Sequence, residues 1–226
     1  MAFPNLYARD TAALDDMFTT EFTTDQSNEI KFNVLVLNAR SIINKLSALQ
    51  IMLASLPFSP HLIFVSETWL NINNQSLCNI KGYDFISNPR DKKGGGVGIF
   101  NSDELDYNRL FHLEISDTTI AETIFAEIIL GVNKILIANF YRPPVANKAR
   151  FITHIDSLAP VVLSNAYSGV IFSGDFNIDL LMSNTDSMDF KGTMNSIELI
   201  NITASPTQCA WAGRPSNTRG PIRGLH

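Results

Sequence analysis

Residues 32–69 read FNVLVLNARSIINKLSALQIMLASLPFSPHLIFVSETW. The first six, Phe32 to Leu37, form a nearly continuous apolar run of the kind a strand buried on both faces requires. After Asn38-Ala-Arg-Ser41, the residues Ile42, Leu46, Leu49, Leu53 and Leu56 recur at helical spacing. Ser41 stands where an N-cap belongs, and Pro57 and Pro60 close the helix. A second apolar run, Leu62 to Val65, then leads into Ser66-Glu67-Thr68-Trp69. The stretch is a β–α–β unit. Asn38 and Glu67 fall just past the carboxyl ends of its strands, where open α/β sheets bind their ligands.

Working outward, the middle of the chain is rich in strands. Tyr83–Ser87 and Val97–Phe100 flank a polar, Gly-rich hairpin connection, Arg90 to Gly96. Phe111–Ile115, Thr123–Leu130 and Lys134–Phe140 show strand patterning, with a tight turn at Gly131-Val-Asn133. Phe151, Ile155, Leu158, Val162 and Leu163 predict a helix interrupted at Pro160. The apolar run Gly169–Phe172 ends in Ser173-Gly-Asp-Phe-Asn177, followed by a helix near Met188–Leu199 and a short strand around Ile200–Thr203. Helices at both ends of the chain with hairpins between them predict a layered α/β sandwich.

The 226 residues carry a net charge of −5, which taken whole argues against a nucleic-acid partner. The charge is unevenly placed, however. Residues 1–31 hold Arg9 and Lys31 against six acids and are net −4, leaving the remainder at −1. That leader reads as a mobile acidic arm with a short helix near Ala12–Phe18. Cys209–His226 has three arginines, no acid and no apolar period, and reads as an irregular basic tail. Two cysteines cannot staple a chain of this size, which excludes a disulfide scaffold. The first 30 residues lack a signal peptide's basic start and apolar stretch, and no run approaches the ~20 apolar residues of a membrane helix. An intracellular, non-secreted protein with no membrane partner is expected.

Several polar residues end apolar strands: Asn38, Glu67, Tyr141, and Asp175 with Asn177. If the strands are neighbours, these side chains converge on one rim. Glu67, assisted by Asn38, could bind a hard divalent cation; Mg²⁺ suits one or two carboxylates, several waters and a substrate phosphate. Asp175 could orient or deprotonate a water, and Asn177 and Tyr141 could donate to a phosphate gaining charge. Taken singly, each has a plainer reading as a helix cap, a solvated turn or a rim packer. Gly94–Gly96 lacks the Lys-Ser/Thr ending of a phosphate loop. His61, His112 and His154 have no partners at ligand spacing, so zinc is not expected.

The ordered strings VLVLNARS (34–41), NKL (44–46), SETWL (66–70), GY (82–83), GGGV (94–97), NFYRPP (139–144) and SGDFNIDL (173–180) carry a further signal. Together they resemble the endonuclease/exonuclease/phosphatase superfamily. The nearest likeness is to the apurinic-endonuclease-like domain of non-LTR, LINE-type retrotransposon polyproteins. The resemblance implies a four-layer α/β sandwich with two facing mixed β-sheets over residues 32–208. It also implies Mg²⁺-dependent phosphodiester hydrolysis, with Mn²⁺ as an alternative ion, that nicks target DNA for a reverse transcriptase domain of the intact element. Such work would be done in the nucleus. By motif position, Glu67 and Asn38 correspond to the family's metal-site residues and Tyr141 to the phosphate-contacting Tyr. Asp175 corresponds to the water-positioning Asp, and Asn177 is its partner in the Asp-x-Asn motif. Arg40 and Arg90 are placed for DNA-backbone contact, with solvated surface arginines as the equal alternative.

Two departures from the family pattern are visible. His61 stands where an acid often precedes the second strand. The Asp-His pair expected soon after Pro206-Thr207 is missing, and with it the closing strand, so impaired catalysis is expected. A catalytically inactive remnant is the first alternative, and another phosphatase of the superfamily the second.

Overall fold

A computed structural model describes residues 17–23, 31–90, 94–202 and 208–213. The opening unit folds as its pattern predicts. Strand β2 (Lys31–Asn38) runs into helix α1 (Ile42–Ser55) and returns as β3 (Leu62–Ser66), parallel to β2. Ser41 holds the N-cap position with φ 88° but makes no side-chain cap bond; its hydroxyl instead accepts from Asn44 Nδ2 at 2.9 Å.

Two mixed sheets result. The first has five strands in the order β1-β2-β3-β5-β4, with β1 (Met17–Thr23), β4 (Tyr83–Asn88) and β5 (Val97–Ser102) joining the opening pair. The second has seven. Along the chain these are β6 (Asp106–Arg109), β7 (Ser116–Asp117), β8 (Ala121–Leu130), β9 (Asn133–Tyr141), β10 (Gly169–Asp175), β11 (Ile200–Asn201) and β12 (Gln208–Gly213). Their order is β11-β12-β10-β9-β8-β6, with β7 also paired to β8. The pair β9/β10 is parallel and its other neighbours are antiparallel. A two-residue turn at Gly131-Val132 joins β8 to β9, and Gly131 adopts φ 62° there, a backbone region that costs glycine nothing.

Three apolar clusters separate four layers. Ile42, Leu49 and Met52 of α1 pack on Leu35, Leu37, Ile63 and Val65, the outer face of the first sheet. The outer face of the second is covered by α2 (Lys148–Ser157), α3 (Ala159–Val162) and α4 (Thr185–Ser196). There Phe140, Phe151, Phe172, Phe176, Phe190 and Trp211 form one aromatic run. Between the sheets lie Val34, Val36, Leu62, Phe64, Ile99, Ile124, Ile135, Ile137 and Ile171. The expected four-layer α/β sandwich is the architecture observed.

Four local expectations are corrected. Met17–Thr23, read as part of the acidic arm, is a strand paired antiparallel with β2; the helix expected near Ala12–Phe18 gives way to it at Met17 and Phe18, and residues 12–16 lie outside the described set. Its order comes from the open edge of β2, not from an apolar alternation of its own. Gln208–Gly213, which overlaps the expected irregular tail, is a strand on β10, with Ala210, Trp211 and Ala212 buried. Phe111–Ile115 is no strand: Phe111–Leu113 makes a 3₁₀ turn, while Asp106–Arg109 pairs with β8 instead. The interrupted helix begins earlier, at Lys148, where Asn147 Oδ1 caps the Arg150 amide at 3.0 Å.

Candidate active site

The space between the sheets is apolar through most of its length and polar at one end. Alternation in a strand turns every second side chain inward. Hence Val34 and Val36 are followed on that face by Asn38, Leu62 and Phe64 by Ser66, Ile135 and Ile137 by Asn139 and Tyr141, and Ile171 by Ser173 and Asp175. All four strands are parallel members of their pairs and finish at the same rim. Because β8 runs antiparallel to β9, Glu122 arrives there too, opposite Tyr141.

At the rim the two sheets are joined by side chains. Asn38 Nδ2 donates to Glu67 Oε1 at 2.9 Å and to Asp175 Oδ2 at 3.0 Å. Deeper in, Asn139 Nδ2 of β9 donates to the carbonyls of Val65 and Gly98, at 3.0 and 2.8 Å. The parallel run of β2 and β3 continues past the strands through Ala39 N to Ser66 O, Ser41 N to Glu67 O and Ile42 N to Thr68 O. Along this ladder Arg40, Ser41, Glu67 and Trp69 take positive φ. Non-glycine residues held this way mark over-determined backbone, a feature that clusters at functional sites.

Asp175 is fixed from several sides. Its Oδ1 accepts the Asn177 backbone N–H at 3.0 Å. Between them Phe176 is buried against Phe140 and Phe190, anchoring the loop in the aromatic cluster. Arg142, 1% exposed, donates to the carbonyls of Pro143, Ala146, Phe176 and Asn177, all within 3.2 Å. Asn177 Nδ2 returns a bond to Arg142 O at 2.8 Å. Burial lowers the guanidinium's pKa, and the nearby Asp175 and Asp186 carboxylates oppose that shift. Tyr141 is pushed up to about 12, chiefly by burial and then by Glu67, Asp175 and Glu122, so it is a phenol able to donate at neutral pH.

The structure therefore brings Asn38, Glu67, Asp175 and Tyr141 to one rim, with Asn177 turned onto Arg142. Arg40 is exposed beside it, and its backbone N–H donates to Asn38 Oδ1 at 3.2 Å. Arg90 is spoken for: its Nε lies 2.9 Å from Glu122 Oε1, and its Nη1 donates to Gly94 O at 3.0 Å. Sequence reading missed Glu122, Arg142 and Asn139. The parity of strands β8 and β9 marks Glu122 and Asn139 as polar residues on an inward face, a signal that was available. Nothing local marks Arg142 for burial.

The donor set at the rim is all oxygen. The Glu67 carboxylate takes two neutral donors, Asn38 Nδ2 and Trp69 Nε1 (3.2 Å), and no Lys or Arg among the described residues pairs with it. An uncompensated carboxylate sharing an amide with a second one suits a hard cation that keeps its own waters. Among the described residues no group of three or more His, Cys, Asp or Glu is placed to hold a metal ion, so an ion here would rest on fewer carboxylates and its own waters.

The four-layer sandwich is the endonuclease/exonuclease/phosphatase fold. Among solved structures, the endonuclease domain of TRAS1, a telomere-specific non-LTR retrotransposon, matches with a TM-score of 0.63 at 13% identity, over 82% of this chain and 85% of that one. An AP endonuclease from Archaeoglobus fulgidus matches at 0.59 and 12% identity, over 80% and 86%. The mannosyl-6-phosphatase Bt3783 of Bacteroides thetaiotaomicron matches at 0.53 and 12%, over 76% and 77%. At these identities the likeness carries the fold, which hosts both nucleases and phosphatases. No family model and no curated protein matches the sequence. No helix among the described residues is long and apolar enough to cross a membrane.

Proposed function

We propose that this chain is a Mg²⁺-dependent phosphodiester hydrolase of the retrotransposon endonuclease type, nicking DNA. The observation that carries the reading is the Asn38 amide shared between Glu67 and Asp175, which holds two carboxylates from different sheets side by side. Glu67 and the Asn38 carbonyl oxygen would hold the ion, with Mn²⁺ an acceptable substitute. When bound, it polarises a phosphoryl oxygen and offsets charge on the leaving oxygen.

The protein's own groups do the rest. Asp175, its Oδ1 held by the Asn177 N–H, orients a water in line with the phosphorus and accepts its proton. The Tyr141 hydroxyl donates to a non-bridging phosphate oxygen as negative charge grows there. Arg142 and Asn177 keep the loop rigid, so that the water is aimed rather than merely present. Arg40 meets the backbone phosphates flanking the cut, while Arg90 acts through the loop it braces. A nick leaving a free 3′ hydroxyl would serve a reverse transcriptase domain copying onto genomic DNA, which places the work in the nucleus.

Incubation with supercoiled plasmid and Mg²⁺ tests the reading. Conversion to open circles is expected, and chelation, Glu67→Ala and Asp175→Ala each abolish it. Conversion by the parent protein no faster than by Asp175→Ala overturns the nuclease. Release of inorganic phosphate from phosphomonoesters in its place assigns the site to the phosphatases of the same fold.

A further inference from the structure

Glu67 is held at φ 51° and Trp69 at φ 55°, and what pins them is a turn that belongs to neither β2 nor β3. Thr68 N donates to Gly96 O at 3.2 Å and Trp69 N to Gly95 O at 2.9 Å. The Trp69 indole then reaches back to Glu67 Oε2. The glycine turn is itself gripped from the opposite sheet. Glu122, 3% exposed at the start of β8, accepts the Gly96 N–H at 2.7 Å and pairs with Arg90 at 2.9 Å. Arg90 in turn holds Gly94 O through Nη1 and Leu70 O through its backbone N–H.

We propose that Glu122 is a positioning residue that sets the Glu67 carboxylate by clamping the Gly94–Gly96 turn against the Glu67–Trp69 segment. The contact sequence runs from Glu122 through Gly96 and Gly95 to Thr68 and Trp69, and from Trp69 to Glu67. Space in the clamp is fully used. A Cβ at Gly95 would lie 2.5 Å from both Arg90 Nη1 and Glu122 Oε2, and one at Gly96 would lie 2.5 Å from Thr68 Oγ1. Both glycines also need positive φ, 71° and 81°. A rigid turn pressed from the second sheet thus fixes an acidic side chain of the first. The metal consequence rests on the reading of Glu67 as the ion's ligand; the geometric one does not.

The test uses the full chain and two readouts. The chain has two tryptophans, so its indole N–H region holds two resonances, and Trp69→Phe assigns them. Glu67→Ala supplies the position of a Trp69 indole without its carboxylate. Glu122→Gln, which keeps an acceptor for Gly96 but releases Arg90, is expected to move the Trp69 resonance toward that position. Gly95→Ala, which wedges the clamp from the other side, is expected to do the same. Both should weaken Mn²⁺ binding about 10-fold, the usual cost of losing a group that orients a ligand. Glu127→Gln removes another ion pair from the same strand, with Lys134, and should change neither readout. Parent-like indole shifts and parent-like Mn²⁺ affinity in both Glu122→Gln and Gly95→Ala would overturn the proposal. If Mn²⁺ binds Glu67→Ala as tightly as the parent, the ligand reading of Glu67 fails, and the indole shifts alone then decide the clamp.

Discussion

Asn38 at the end of one sheet donates through Nδ2 to Asp175 Oδ2 at the end of the other, 3.0 Å away and 137 positions distant in sequence. The same nitrogen serves Glu67, so one neutral donor keeps two carboxylates together. Replacing it by Asn38→Asp adds a third carboxylate in place of the shared donor. Repulsion between such neighbours is worth about 4 kcal/mol per pair at an effective dielectric of about 20, relieved by protonation or by a cation. Wherever these carboxylates are ionised the variant is less stable than the parent, a decline readable as a lower Tm. Thermal melts of Asn38→Asp should show that decline, and Mg²⁺ should restore more Tm to the variant than to the parent.

Tyr141 titrates at about 12, above its ordinary value, because burial and three carboxylates oppose the phenolate. Between about pH 10 and about pH 12 the unfolded chain sheds this proton and the folded one keeps it, so stability falls with rising pH in that window. Tyr141→Phe should flatten the alkaline decline in Tm. It should also cut nicking by about 10²-fold while leaving Mn²⁺ affinity unchanged, the signature of a donor used in the transition state.

Gly174 sits at φ 133°, and a Cβ there would drive into the backbone carbonyl of Phe140 on the parallel neighbour β9. No side-chain rotation relieves a collision with backbone. Gly174→Ala should therefore cost more than about 3 kcal/mol in urea unfolding, far more than an ordinary surface change. A loss under about 1 kcal/mol would show that β9 and β10 separate easily.

His154 on α2 is lowered below its usual pKa by burial, and its Nε2 has no hydrogen-bond partner among the described residues. The folded state holds the neutral ring, so stability is lost as pH falls through about 6.5, where the unfolded imidazole charges. His154→Leu should melt with a flatter acid limb between about pH 7 and about pH 5. An unchanged limb would place the acid sensitivity elsewhere.

Much of the sandwich was legible because its central strands are long apolar runs whose polar terminators recur in one order. VLVLN, LIFVS and VIFSGD each change character at the residue that reaches the rim. Elements that borrow their order from a neighbour were not legible. Met17–Thr23 pairs on the edge of β2 without a period of its own, and Gln208–Gly213 becomes a strand by lying on β10. Arg90 reads as a free surface cation until β8 delivers Glu122 to it.

What the sequence determined by itself is which side chains face inward and where each strand turns polar. Alternation with period two is a local property, and Asn38, Tyr141 and Asp175 inherit their face from the apolar residues before them. Only the tertiary structure decided that those three, with Glu67, meet, and that Glu122, Gly96 and Trp69 stand behind them. Hydrogen bonds act over about 3 Å, and the residues that make these come within that range only when two separately wound sheets stack face to face.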